Sequence, residues 1–172
     1  IDFVIPDISY LKKRKEDIVG MVFTHGHYDH IGALPYLIDG IGPVPMFASD
    51  LTREIIMRRD KEFKHRTRVE VTAVKAGETV SLPPFKITFV HQVHNIPANF
   101  GLLIETPDGN IFHTGDFKFD DDPVNDRPVD FKELERISRK KITLLMSDST
   151  GAEDPGHSLS ERVISKNIEQ VI

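Results

Sequence analysis

The run Thr24-His25-Gly26-His27-Tyr28-Asp29-His30 is the stretch of this 172-residue chain that decides its fold and chemistry. It follows the apolar residues 18–23, a pattern that predicts a buried strand. Imidazole and carboxylate groups are common ligands of divalent metals. Three histidines and one aspartate at a strand end therefore predict a site for one metal ion or for a pair.

The spacing within the run divides its ligands into two pairs. His25 and His27 flank one glycine, and side chains two apart in extended backbone point the same way, so both can face one ion. Asp29 and His30 lie where the next helix begins, and they can reach a second ion. Gly26 allows the backbone to bend tightly between them.

Further ligands are expected at the ends of later strands. His94 follows the predicted strand at 85–93, and Asp116 follows the one at 110–114. Both positions match that of the first run, where a strand gives way to a loop. His91 competes with His94, but three residues apart they point to opposite faces of a strand.

The composition restricts the kinds of site and partner. There is no cysteine, which excludes disulfides and thiolate metal sites, so any metal is held by His, Asp or Glu. The net charge of −5 argues against nucleic-acid binding by bulk electrostatics. It leaves open a nucleic-acid enzyme whose phosphate contacts are metals and a few local groups. No apolar stretch approaches the roughly 20 residues that a membrane span requires.

Short apolar runs alternate with helical patterns, which predicts an α/β fold in which helices cover sheets, as one domain over residues 1–172. Strands are predicted at Asp2–Ile5, Val19–Phe23, Val44–Ala48, Val69–Val74, Thr79–Leu82, Phe85–His91, Gly101–Thr106, Asn110–Thr114 and Ile142–Met146. Helices are predicted at Asp29–Ile38, Asp50–Phe63, Phe131–Arg139 and Ser160–Ile172. Pro107-Asp108-Gly109 predicts a hairpin turn.

Taken together, these motifs resemble a known superfamily. HxHxDH at 25–30, a lone histidine after a strand and TGD at 114–116 are similar to the metallo-β-lactamase superfamily. Five longer segments resemble bacterial ribonuclease J, in the β-CASP branch: IPDISYL at 5–11, THGHYDHIGALPY at 24–36, HNIPANFG at 94–101, HTGDFKFD at 113–120 and SDSTGAEDPGHSLSE at 147–161. The resemblance implies a metallo-β-lactamase αββα sandwich. It is expected to be partial, cut at both ends, and without the first strands and the β-CASP insertion.

The resemblance also implies roles for individual residues. His25, His27 and His94 would hold one metal, Asp29 and His30 the second, and Asp116 would bridge both. The implied cofactors are two divalent ions, with Zn²⁺ favoured and Mn²⁺ as the alternative. Asp148 occupies the position of an acidic residue near the active site and is a catalytic candidate. The alternative for Asp148 is a structural one, in which it caps the loop with Ser149 and Thr150.

Several positions depart from the family pattern. Tyr28 replaces the usual Glu, at a position that is not a ligand. Asn95, Ala98 and Asn99 stand where the family has Ser, Asp and Ser, so Asn95 and Asn99 are expected to make retuned substrate contacts. The family's last metal histidine has no counterpart here.

The implied function is a metal-dependent ribonuclease that cuts RNA both 5′→3′ exonucleolytically and endonucleolytically, in RNA processing and decay. A hydroxide activated by the two metals would attack the phosphodiester, and Asp29 or Asp116 would orient the water or accept its proton. The resemblance further implies a cytoplasmic protein that binds RNA and no membrane, as a homodimer or tetramer at full length. The isolated chain is expected to be inactive.

Two other functions stay open at this point. One is another hydrolase of this superfamily, acting on small esters, thioesters or lactams. The second is a non-catalytic RNA-binding relative, against which the intact HxHxDH run, His94 and Asp116 speak.

Overall fold

Residues 4–64 and 67–171 are described by the computed structural model, in which the chain divides into two units, Ile1–Val74 and Lys75–Ile172. Each unit carries one sheet accompanied by helices. The α/β fold class predicted from the sequence is confirmed. A single domain over residues 1–172 stays a prediction.

The first unit is built on a parallel three-stranded sheet. Its strands are β1 (Met21–Val22), β2 (Met46–Ala48) and β3 (Val71–Ala73), in the order β1-β2-β3. Its helices are α1 (Ser9–Lys12), α2 (Tyr28–Ile31), α3 (Leu34–Ile41) and α4 (Asp50–Asp60), with a 3₁₀ turn at Lys15–Asp17. Apolar side chains from these strands and helices form one buried cluster, which includes Phe23, Ile38 and Ile56. The cluster holds the carboxyl end of β1 in place, where the histidine run begins.

The predicted helix Asp29–Ile38 is wrong in one respect, because the structure divides it into α2 and α3. A Cβ at position 32 would collide with the carbonyl oxygen of Tyr28, so this backbone conformation requires glycine there. Pro35, at the second position of α3, has no N–H with which to continue the hydrogen bonding of α2.

The structure also differs from the strand predicted at the amino-terminal end. Val4 and Ile5 are not in a strand, and the rest of the strand predicted at Asp2–Ile5 lies outside the described residues. The unpredicted helix α1 follows instead. The Asp7 carboxylate accepts hydrogen bonds from the Ser9 N–H (2.8 Å) and hydroxyl (2.6 Å), which fixes the first turn.

The second unit is built on a five-stranded sheet in the order β4-β5-β6-β7-β8. The strands are β4 (Thr79–Leu82), β5 (Phe85–Gln92), β6 (Asn99–Thr106), β7 (Gly109–His113) and β8 (Ile142–Met146). The first four form an antiparallel meander, whereas β8 pairs parallel to β7. Its helices are α5 (Phe131–Ser138) and α6 (Glu161–Glu169). Helix α5 lies on the connection from β7 to β8 and packs Ile137 against Val90 and Leu103.

The directions of the strands determine where the candidate site residues of the second unit lie. Strands β5 and β7 are each antiparallel to β6, and β8 is parallel to β7, so β5, β7 and β8 run the same way. Their carboxyl ends therefore share one edge of the sheet. The loops that leave this edge carry His94, Asp116 and Asp148.

Candidate metal centre

His25 is the buried anchor of the site in the first unit. It lies just beyond β1, is fully buried, and its Nδ1 is 3.0 Å from the Thr24 hydroxyl oxygen. A hydrogen bond to one ring nitrogen fixes the tautomer and orientation of a metal-binding histidine. Thr24 thereby leaves Nε2 of His25 as the nitrogen that can bind an ion.

His25 and His27 meet as the spacing predicts. Nε2 of His25 lies 3.1 Å from Nδ1 of His27, and the two rings are nearly perpendicular. Two nitrogens bound to one tetrahedral zinc at its usual Zn–N distance are about 3.3 Å apart. The observed separation fits a shared ion.

Asp29 and His30 stand in the first turn of α2. The Asp29 Oδ2 is 3.4 Å from Nε2 of His30, and the His30 ring centroid is 4.1 Å from that of His25. The first unit thus brings the three histidines of the run together, whereas the Asp29 carboxylate lies beside His30 alone among them and is 76% exposed.

In the second unit, His94 and Asp116 lie side by side. The Nε2 of His94 is 3.7 Å from Oδ2 of Asp116, a separation that a single bound ion would bridge. His91 is turned elsewhere: its Nε2 is 2.9 Å from the Arg127 carbonyl oxygen and 3.8 Å from the Asp126 carboxylate.

The turn that presents Asp116 is held from several sides. Gly115 has a φ of +62°, a left-handed conformation that favours glycine. Its N–H donates to Nδ1 of His113 at 2.9 Å. The amide nitrogen of Asn99 donates to the Asp116 carbonyl oxygen at 2.7 Å. Asn99 is fully buried, which is at odds with a direct substrate contact and places it as a support for the Asp116 turn.

Asp148 is tied to the end of β7. Its N–H donates to the Thr114 hydroxyl at 3.0 Å, and its Oδ1 accepts the Thr150 N–H at 2.8 Å. Burial raises the pKa of Asp148, but hydrogen bonds from Thr150, Phe117 and Ser149 outweigh it, so the pKa is lowered overall. Asp148 is therefore a carboxylate at neutral pH, and the loop-capping arrangement foreseen as its alternative is present.

One pocket of about 340 Å³ collects the predicted residues of the second unit. Four of them line it: His94, Asn95, Asp116 and Asp148. Asn95 is exposed at this pocket, in contrast to the buried Asn99. The first unit gathers His25, His27 and His30, with Asp29 beside His30, and the union of both groups in one centre remains a prediction.

The comparisons with known proteins decide the family. The family model described as "Beta-lactamase superfamily domain" matches residues 3–160. The chain belongs to the β-lactamase superfamily. This membership confirms the metallo-β-lactamase fold predicted from the motifs and implies binding of divalent metal ions, which the imidazoles and carboxylates described above suit.

Within the superfamily, this chain is similar to ribonuclease J over its whole length, as the motifs predict. It is 36% identical to "Ribonuclease J 1" of Streptococcus pyogenes serotype M3, covering 30% of that protein. It is 33% identical to "Ribonuclease J2" of Bacillus subtilis, covering 31% of that protein. The chain thus spans less than a third of the length of these curated relatives.

A solved structure agrees with the superfamily assignment at the level of the fold. The crystal structure of a protein of unknown function from Enterococcus faecalis V583 matches 88% of this chain and 38% of that one. The TM-score is 0.62 at 21% sequence identity, which is evidence of the fold alone. Among the residues that the structure describes, none of the helices of this superfamily member has the length and apolar character to cross a bilayer.

Sequence reasoning missed a charged network beside the pocket. Lys118 Nζ lies 2.7 Å from the Glu161 carboxylate and donates to the Leu159 carbonyl oxygen at 2.8 Å. Asp120 accepts the Glu161 N–H at 2.9 Å. Burial raises the pKa of Asp120, but the hydrogen bonds that it accepts from Glu161, Asp122 and Ser160 prevail, with Lys118 adding to them, and lower it overall.

The network joins two of the motifs that resemble ribonuclease J. Lys118 and Asp120 belong to HTGDFKFD, and Glu161 ends the SDSTGAEDPGHSLSE segment. The alternation of Lys118 and Asp120 was the available signal, because residues two apart in extended chain share a face.

Proposed function

We propose that this chain carries the metal site of a metal-dependent ribonuclease of the J type, which hydrolyses RNA phosphodiesters both 5′→3′ exonucleolytically and endonucleolytically in RNA processing and decay. The proposal is supported by similarity to proteins named ribonuclease J along the whole of this chain, together with the 3.1 Å separation of the His25 and His27 ring nitrogens. The chain covers less than a third of those proteins, so the activity is proposed for the full-length protein.

In this proposal His25, His27 and His94 would hold one divalent ion, Asp29 and His30 would hold the second, and Asp116 would serve as a ligand shared by the two. Zinc is favoured because most of these ligands are imidazoles, and manganese is the alternative. When bound, such a pair supplies an activated water nucleophile and neutralises charge on the phosphoryl oxygens.

Residues of this chain take the other roles in the proposed reaction. Asp29 or Asp116 orients the attacking water and accepts its proton. Asn95, exposed at the pocket, donates hydrogen bonds to a phosphate oxygen. Asp148 is ionised, so it serves as a hydrogen-bond acceptor. The proton for the leaving oxygen must therefore come from another group near Asp148 or from water.

Asn99 and Thr24 act without touching substrate. Asn99 holds the turn by donating a hydrogen bond to the Asp116 carbonyl oxygen, and Thr24 fixes the orientation of the His25 ring. A cytoplasmic location, RNA as the substrate and a homodimeric or tetrameric full-length protein complete the proposal.

The test is metal analysis of the full-length protein together with cleavage of 5′-monophosphorylated RNA. We expect bound divalent metal and RNA cleavage, both strongly reduced in His27→Ala. A His27→Ala variant with wild-type turnover would refute the ligand assignment. Hydrolysis of small esters, thioesters or lactams by a protein that leaves RNA intact would replace the ribonuclease with the alternative hydrolase.

A further inference from the structure

Tyr28 stands inside the HxHxDH motif, at a position that is not one of the proposed ligands. Its side chain is 61% exposed, between the ligands His27 and Asp29 in the sequence. The guanidinium carbon of Arg59, in α4, lies 4.6 Å from the centroid of the Tyr28 ring. The same carbon lies 5.2 Å from the centroid of the Phe63 ring. We name Tyr28, Arg59 and Phe63 the Tyr28 platform.

The platform is held rigid from behind. Phe63 packs edge-on against Tyr36, with ring centroids 5.0 Å apart. The Nε of Arg59 is buried and, among the described residues, has no hydrogen-bond partner. The Arg59 guanidinium thus contacts two aromatic rings although its Nε lacks a hydrogen bond. One face of the Tyr28 ring packs against this guanidinium, and the other face is exposed.

The charge around the platform differs from that of the whole chain. Residues 58–64 contain four basic and two acidic residues, whereas the chain carries a net charge of −5. This segment includes Arg59 and follows the course of α4 to its end and beyond. The platform thus combines an exposed aromatic face with a local excess of positive charge.

That combination is the one with which proteins bind single-stranded nucleic acid. Bases stack on aromatic faces, arginines add cation–π contacts, and nearby basic residues attract the phosphates. Stacking of this kind tolerates any base, because every base has a π-face. The glutamate usual in the family at this position offers no such face.

We propose that the exposed face of Tyr28 stacks against a base of the single-stranded RNA substrate, next to the phosphate that is held for cleavage. The proposal rests on the ribonuclease function proposed above. It makes Tyr28 a specificity-determining residue that favours unpaired over paired RNA at the cleavage point, because a base inside a duplex is not free to stack on it.

The experiment uses the metal-loaded full-length enzyme and single-stranded 5′-monophosphorylated RNA carrying 2-aminopurine at one position at a time. Stacking quenches the fluorescence of this base, and stopped-flow mixing records it before cleavage. We expect quenching at one position with the wild type and with Tyr28→Phe, and its loss with Tyr28→Ala. The KM of Tyr28→Ala should rise about 5- to 150-fold, the range given by the stacking of one base, while Tyr28→Phe stays within about twofold of the wild type.

Tyr10 offers a matched control in the first unit. It is 67% exposed and has the Arg14 guanidinium 5.1 Å from its ring centroid, but it lies outside the metal motif. Tyr10→Ala should leave both the quenching and the KM unchanged. An equal effect of Tyr10→Ala, or quenching that survives Tyr28→Ala, would overturn the proposal.

The possible results of this experiment distinguish a failure of the stacking proposal from a failure of the proposed ribonuclease function. An enzyme that cleaves RNA with no Tyr28-dependent quenching refutes the platform alone. A wild type that cleaves no RNA refutes the proposed function, and Tyr28-dependent quenching in that protein would still support RNA stacking at the platform.

Discussion

Replacing Asp120 by alanine tests whether the network around Lys118 holds the second unit together. Asp120 is only 4% exposed. Its carboxylate accepts the N–H groups of Asp122 (3.0 Å) and Glu161 (2.9 Å) and lies 3.7 Å from Lys118 Nζ. The Asp120→Ala variant leaves two N–H donors and the Lys118 ammonium, whose side chain is 13% exposed, with fewer partners.

The size of the effect follows from these contacts. A hydrogen bond to a charged group contributes about 1.5–3 kcal/mol, and breaking a buried ion pair costs about 3–5 kcal/mol. Lys118 keeps Glu161 as a partner at 2.7 Å, which reduces the loss. We therefore expect Asp120→Ala to lower the free energy of unfolding by about 3 kcal/mol, measured by urea denaturation, with faster hydrogen exchange in α6.

Asp122 supplies the control, because it also reaches α6. Its carboxylate lies 2.6 Å from Arg162 Nε, but its side chain is 62% exposed, and exposed pairs contribute about 0–1 kcal/mol. Asp122→Ala should therefore change stability by less than about 1 kcal/mol. Equal losses in the two variants, or a loss below about 1 kcal/mol for Asp120→Ala, would show that the network does not stabilise the fold.

Two further predictions concern pH and the Asp116 turn. Because the folded-state pKa of Asp120 is lowered from 3.8, its contribution to stability is present above that value and is lost as pH falls through the folded pKa. The urea midpoint of the wild type should therefore fall more steeply than that of Asp120→Asn below about pH 4; parallel curves would contradict this. Asn99→Ala removes the donor to the Asp116 carbonyl oxygen, and loss of such a support should weaken metal binding about 10- to 100-fold in competition with a chelator. Unchanged metal affinity in a folded Asn99→Ala variant would limit Asn99 to packing.

The site was largely predictable where ligands cluster locally or follow strand ends. The spacing of His25 and His27 and the strand–loop positions of His94 and Asp116 are local patterns, and the structure gives each of them a neighbouring ligand. Most strands were predictable for the same reason, since alternation of apolar residues directly reflects burial on one face, but the apolar run ending at Val4 and Ile5 is not a strand.

Features that depend on distant contacts could not be predicted. The inward orientation of Asn99 depends on the Asp116 carbonyl oxygen, and the contact of Arg59 with Tyr28 depends on how α4 packs. The break between α2 and α3 was missed because Gly32 tolerates a helix by itself, and only its close approach to the Tyr28 carbonyl group excludes a side chain.

The parallel pairing of β8 with β7 has a consequence for the order of folding. Strands β4 to β7 pair with their neighbours along the chain, whereas β8 reaches β7 only after the connection of residues 114–141 closes. Closing a longer loop costs more chain entropy, and non-local pairings form more slowly. We expect pulse-labelled hydrogen exchange to protect β5–β7 before β8. Asp148 would then reach the pocket in the final step, and protection of β8 no later than β5–β7 would exclude this order.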